Sequence, residues 1–468
     1  MAVLDDLLRL VSVDALAADG VPSASIAILE DGKISTTMIT NGGDDDEDTV
    51  YQACSISKAI TALAVARLVD DGRLSYDTCV ADRLPRSIVE CIIEPATAHL
   101  MQHVTVRMLV SHTSGLSQHG FPGYVGDLPT SEDILAGRAP SNTPGVRFNS
   151  FPGAQFSYSG GGFTVLQLFL EQVMEMEFSD IMQEVVLKPL GMRRSRYGAL
   201  LPEERNYAKA HHTAYTPAGV EYHRFVELAA GGLWTTPTDL LKAVAAIQQS
   251  LHTDTGFLRR KTAKQILTQV PQTDEHYAMA FGWGADNSVF AHRGDNEPGF
   301  NCYAFGSHGG VVNADTDTGG LGVPCGSGLA ILTNSVLGFE AVRKIVSVVF
   351  YLKGWPRFRS LACGYGDDDY VPYAAPEGTA VDGGWREWIG DWGSVWQLVN
   401  DGGPKLVFHD LPPMALRPAA APIGFVGGLR EHFFVVHGLE TAVRLTWCDE
   451  QRVVALIQCE GARTLKRT

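Results

Sequence analysis

Residues 55–74 read SISKAITALAVARLVDDGRL. Between Ile56 and Val69 only Ser57, Lys58, Thr61 and Arg67 break an Ala-rich apolar run. Alanine and leucine favour helix, and a helix apolar all round cannot lie on a surface. The run therefore predicts a central helix that other layers must cover. Gly72 stops it. Any fold of this chain has to bury a helix whose first turn carries a serine and a lysine.

The remaining patterns say what covers that helix. Residues 21–37 hold two β-rich runs around Asp31-Gly32, a hairpin signal. Residues 163–176 and 239–251 have helical spacing, strand signals return at 288–306 and 328–335, and 338–354 reads as a closing helix. The N- and C-terminal strands must then meet in one antiparallel sheet, with the helices inserted between them. The fold class expected is α/β: an antiparallel sheet flanked by helices, plus an all-helical region. The 307–327 segment is a Gly-rich loop longer than most hairpin connections.

At 468 residues the chain exceeds a usual single core, so two domains are expected. Residues 361–383, rich in Gly, Pro and Asp, read as a linker. Beyond them, short alternating runs separated by turn residues predict a small antiparallel β-barrel over 384–468. Residues 1–360 form the expected catalytic domain. Trp385, Trp388, Trp392 and Trp396 read as packing of the C-terminal module.

A formal charge of −16 repels phosphate backbones, which excludes nucleic acid as a main partner. No run of 18 apolar residues occurs, so no membrane span is expected. The first twenty residues carry Asp5 and Asp6 and read as an amphipathic helix, not a secretory signal. The eight cysteines form no CxxC pair or metal spacing. Reduced thiols and a cytoplasmic location are the expectation. His211, His212 and His223 lack a metal-binding spacing and read as loop histidines. No metal or organic cofactor is expected.

Three groups of residues carry chemistry. Ser55 and Lys58 form an S-x-x-K at a helix start, where positions i and i+3 share a face. The helix N-terminus adds unpaired N–H groups and a positive dipole end. A serine hydroxyl needs a base to become a nucleophile, and a lysine in an apolar helix can have its pKa depressed enough to serve. Alone, S-x-x-K also fits an N-capping serine with a surface lysine. Tyr158, at a turn before a helix, can exchange a proton with that pair; alone it fits a core tyrosine. The third group is His292-Arg293-Gly294-Asp295 on a strand. Gly294 permits close backbone approach, and the Asp295 N–H with that of Ser55 would form an oxyanion hole. Cys54 precedes Ser55 but has no dedicated histidine partner, so it is the weaker nucleophile.

Together these pieces resemble the serine β-lactamase and penicillin-binding-protein superfamily, in its class C β-lactamase-like branch. VRMLVSHTSGLS (106–117), AAGGLWTTPTDL (229–240), KPLGM (188–192) and LTNS (332–335) match that branch in order and spacing over roughly residues 8–352. The resemblance implies Ser55 as nucleophile, Lys58 as its partner and Tyr158 as the tyrosine of Y-x-N. It also implies His292 and Gly294 as the first and third positions of K-T-G. Gly231, Gly232 and His112 match positions read as structural. Two departures stand out: Gly160 replaces the asparagine of Y-x-N, and His292 replaces the lysine of K-T-G. That lysine meets a carboxylate in β-lactamases, a task a neutral histidine does poorly and Arg293 could take over. The C-terminal module resembles a lipocalin-like domain found in some relatives.

The expected function is acyl transfer from a small ester, amide or carrier-bound thioester through an acyl-enzyme, of hydrolase, esterase or peptidase type. The alternatives are an acyltransferase or peptide-cyclising enzyme of secondary metabolism, and a non-catalytic ligand-binding protein of the same fold. The expected partner is a small-molecule or peptide acyl substrate, free or bound to a carrier protein.

Overall fold

The computed structural model describes residues 20–40, 45–213, 216–271, 280–285, 289–309, 325–353, 383–392, 396–408, 412–418, 431–436, 442–448, 451–458 and 461–466, with Leu16 and Trp355. The hairpin is present as β1 (Ser23–Glu30) and β2 (Lys33–Thr40), with Glu30 opposite Lys33. Asp31 and Gly32 turn the chain with φ of +48° and +72°. Positive φ at both positions is what a two-residue primed turn demands.

The region 288–306 resolves into two strands, because Glu297–Gly299 makes a turn inside it. With β3 (Gly284–Ala285), β4 (Val289–Asn296), β5 (Phe300–Ser307) and β6 (Gly328–Thr333), the six-stranded sheet runs in the order β2-β1-β6-β5-β4-β3. The pairing of β1 with β6, Ile26 opposite Ile331, joins the two ends of the family-length region across the inserted helices. Strand alternation gives the sheet two buried faces. Ile26, Ile28, Phe305 and Ile331 pack on one face with Ile345 and Val349, which belong to the closing helix Gly338–Lys353. Ala27, Leu29, Ala304, Ala330 and Leu332 face the larger core.

That larger core surrounds α1 (Ile56–Asp70), buried on every side: Ile56, Ile60, Leu63 and Val65 are all fully enclosed. Around it lie α2 (Val106–Val110), α3 (Gly160–Met174), α4 (Leu228–Gly231), α5 (Pro237–Ser250) and α6 (Arg260–Leu267). α5 begins with a Thr236 cap that accepts from Asp239 N, followed by proline at the first turn, a favoured pairing. α3 starts three residues earlier than its apolar spacing predicts. The Ser159 hydroxyl caps it by accepting from Gly162 N at 2.7 Å. Gly160 and Gly161 fit beneath the backbone carbonyls of residues 117–119, where a Cβ would sit 2.4 to 3.3 Å from those oxygens.

The C-terminal region forms an eight-stranded antiparallel sheet in sequential order, from Gly390–Trp392 to Gly461–Lys466. Trp385, Trp388, Trp392 and Trp396 are buried. Trp396 and Phe408 pack on each other at 4.4 Å, and on Phe151 of the larger body at 5.5 and 6.0 Å. No helix among the described residues is long and apolar enough to cross a membrane. The expectations for residues 1–15, for 310–324 of the Gly-rich loop and for 361–382 of the linker lie outside the described residues.

Leu63 is enclosed on all sides within α1. Leu63→Ala is expected to lower the unfolding free energy by about 2–5 kcal/mol. Leu201→Ala, at a half-exposed site, should change it by no more than about 0.5 kcal/mol. Urea unfolding midpoints compare the two.

Candidate active site

Ser55 stands at the junction where the first turn of α1 meets β4. It occupies the N-cap position, yet its side chain makes no capping hydrogen bond. Its hydroxyl is therefore not spent on the helix. Lys58, one turn on, is 2% exposed. Its Nζ lies 3.0 Å from Ser55 Oγ and donates to the Ala230 carbonyl at 2.7 Å. The blander reading of the motif, a capping serine and a surface lysine, fails on both residues. Burial pushes the Lys58 amine down to about 7, against the opposing pull of Asp295. An amine held there can be neutral, with its lone pair toward the serine hydroxyl, at ordinary pH.

Tyr158 is buried in the cleft wall, with Lys58 Nζ 5.1 Å from its ring centroid. The His112 ring stacks on it at 4.3 Å. His112 also holds the backbone on both sides of the tyrosine. Its carbonyl accepts from Ser157 N at 2.7 Å and its Nδ1 accepts from Ser159 N at 3.0 Å. Accepting at Nδ1 places the ring proton on Nε2. Burial, with Lys58 and His292 nearby, holds His112 well below the usual histidine range, so it stays neutral. This histidine positions the tyrosine.

β4 closes the third side. Gly294 lies against the start of α1: a Cβ there would be 2.5 Å from Ser55 N and 2.6 Å from Cys54 Cβ. No residue but glycine lets the strand come this near. Gly294 in turn brings the neighbouring backbone of Asp295 beside the helix N-terminus. His292, on the same strand face as Gly294, has its ring centre 6.3 Å from that of Tyr158. Its Nδ1 donates to the Arg293 carbonyl at 2.5 Å, which leaves Nε2 as an acceptor. Burial, then the nearby Lys58, pushes His292 down to about 3.

A sequence model of the family described as Beta-lactamase matches residues 12–349. The chain belongs to the β-lactamase family. Among curated proteins, it is 32% identical over 189 residues to penicillin-binding protein 4 of Amycolatopsis lactamdurans. That match covers 39% of this chain and 46% of the relative, so the chain spans less than half the length of the curated relatives it matches. Among solved structures, SurE superposes with a TM-score of 0.57 at 20% identity, over 100% of this chain and 98% of that one. The D-stereospecific amidohydrolase of a Streptomyces species gives 0.55 at 21% identity, over 73% and 97%. At those identities the structures share the fold. Members of this superfamily are serine acyl-transfer hydrolases.

Within this β-lactamase-family site, Arg293 is turned away from the expected role, and the expected departure at Gly160 has a steric reason. Arg293 does not reach the cleft. Alternation along β4 turns it to the opposite face, where its guanidinium lies over the Phe339 ring at 5.1 Å. It cannot replace the K-T-G lysine. Gly160 leaves no space for the missing asparagine, since a Cβ would meet the His119 carbonyl at 2.9 Å and the Phe121 ring at 3.1 Å. The 118–121 loop fills that space, and the His119 ring lies 4.6 Å from that of Tyr158.

Other contributors carry no sequence signal. Asn296, just past Asp295, donates to Gln52 Oε1 at 2.9 Å and to the Gly231 carbonyl at 3.2 Å. Gln52 donates to the His223 carbonyl. These bonds tie β4 to α4, the element whose Ala230 carbonyl holds Lys58. Glu227, at the start of α4, is fully buried; burial raises it to about 7, and Tyr124 OH donates to it at 3.2 Å. His211 Nδ1 donates to the Lys209 carbonyl.

The depressed Lys58 amine has a thermodynamic consequence. Unfolded, it binds its proton up to about pH 10.4, whereas folded it releases it near 7. Between these values the unfolded chain holds more protons, so this group makes stability rise with pH. Lys58→Met is expected to remove that component of the rise. Denaturant unfolding at pH 6.5, 8 and 9.5 in both proteins measures the difference.

Proposed function

We propose that this chain is a serine hydrolase acting through an acyl-enzyme on a small ester, amide or carrier-bound thioester. The observation that carries the reading is the contact between Ser55 and a buried Lys58 amine pushed down to about 7. Neutral Lys58, aided by Tyr158, takes the Ser55 proton as Oγ attacks the acyl carbon. The carbonyl oxygen becomes an oxyanion against the N–H groups of Ser55 and Asp295. As the tetrahedral intermediate collapses, the bond to the leaving group breaks and Tyr158 returns a proton to it. Water then attacks the ester carbon by the same relay and frees Ser55. His292 and Gly294 line the acyl site.

Tight binding of a carboxylate-bearing β-lactam is not part of this reading. The K-T-G position holds a histidine kept neutral, and Arg293 faces the other side of the sheet. A substrate whose recognition rests on apolar or neutral polar contacts fits better.

The organisation proposed is a catalytic domain over 1–360, a linker over 361–383 and a C-terminal domain over 384–468. Eight antiparallel strands in sequential order are what an up-and-down, lipocalin-like barrel requires. A cytoplasmic setting is supported by Cys54, Cys79, Cys91, Cys302 and Cys325, none of which forms a disulfide among the described residues.

The test is intact-mass spectrometry after incubation with a fluorophosphonate and with short-chain p-nitrophenyl esters. One adduct is expected on the native enzyme and none on Ser55→Ala. No adduct on folded native enzyme, or an adduct that survives Ser55→Ala, overturns the reading. In steady-state ester hydrolysis, Tyr158→Phe should lower kcat by about 10²–10⁴. The native kcat/KM should rise with pH through an apparent value near 7, as Lys58 loses its proton.

A further inference from the structure

A cavity of 730 Å³ lies away from Ser55, between the catalytic body and the C-terminal sheet. Its size is that of a small-molecule site. Arg107 and Met108 of α2, Lys261 and Lys264 of α6, and Phe408 of the C-terminal sheet line it. Among the described residues no aspartate or glutamate does, in a chain with a net charge of −16. Lys261 and Lys264 are three apart and share one face of α6. Arg107 is paired with Asp77 at 2.9 Å, outside the lining. Neither lysine has an ion pair among the described residues. The rest of the wall is mostly apolar, including Pro152, Val270 and Phe281, with the Thr268 hydroxyl beside the lysines.

We infer that this cavity binds an amphiphilic anion, a carboxylate or phosphate head on an apolar body. The head sits against Lys261 and Lys264, which offer it charge-assisted hydrogen bonds. The apolar body lies along Met108, Phe281 and Phe408. The lining also includes Ser111 and Thr113, the residues flanking His112, whose ring stacks on Tyr158. An occupant therefore bears on the segment that positions the tyrosine, and loads the contact between body and sheet at Phe408. This site is independent of the acyl-enzyme reading, because it needs no chemistry at Ser55.

Isothermal titration of full-length Ser55→Ala with decanoate, decyl phosphate and decanol, all below their micellar concentrations, tests it without turnover. Saturable one-to-one binding of decanoate or decyl phosphate is expected, with the tighter of the two naming the head group. Decanol should bind about ten-fold more weakly or not at all, and Lys261→Gln/Lys264→Gln should weaken the anion by about ten-fold. Both lysines are on the outer face of α6, so this variant should melt as Ser55→Ala does. The inference is overturned if neither anion binds saturably, if decanol binds as well as the anions, or if the lysine variant binds them equally. The last result would place the ligand elsewhere in the chain.

Discussion

An amine buried in an apolar helix is the constraint on which this architecture turns. Lys58 cannot be hydrated where it stands, so its charge is disfavoured and its hydrogen bonds must come from the protein. The Ala230 carbonyl supplies one and Ser55 stands at the other. Burying α1 on every side, which the large core does with sheet on one flank and helices on the others, is thus also what tunes the base. Stability and chemistry oppose each other at this residue: a methionine would suit the core better and leave the serine without a partner.

Holding that pair in place takes elements far apart in sequence. α4 provides the carbonyl, and Asn296 fastens α4 to β4 through Gly231. β4 reaches the helix N-terminus because Gly294 has no Cβ to stop it. Tyr158 is fixed through His112, whose carbonyl and Nδ1 grip the backbone on either side of it. A neutral histidine can accept at Nδ1 only while its pKa stays low, and burial keeps it there.

The two departures from the superfamily pattern have different physical characters. At Gly160 the change is steric: the 118–121 loop occupies the volume an asparagine would need. At His292 it is electrostatic: a permanent cation is replaced by a ring that burial keeps neutral. Both remove polar handles from the cleft, and both shift recognition toward apolar and backbone contacts.

Much of this was legible in the chain itself. The apolar run after Ser55 dictates a buried helix, Asp31-Gly32 dictates a hairpin, and alternating runs after residue 384 dictate antiparallel strands, because local periodicity and turn chemistry are properties of neighbouring residues. The spacing of Ser55, Lys58, Tyr158 and His292 pointed to one site through its likeness to a family. Sequence could not tell on which face of β4 Arg293 would lie. That depends on where the strand's alternation falls relative to α1, and register is set by pairing with Phe300–Ser307. Nor could it show that Ala230, Asn296 and His119 converge on the site, since a backbone carbonyl, a strand-end asparagine and a loop histidine have no pattern of their own. Sequence determined which elements form and which residues could react; tertiary packing decided which groups are desolvated, which face the cleft and how close the backbone may come.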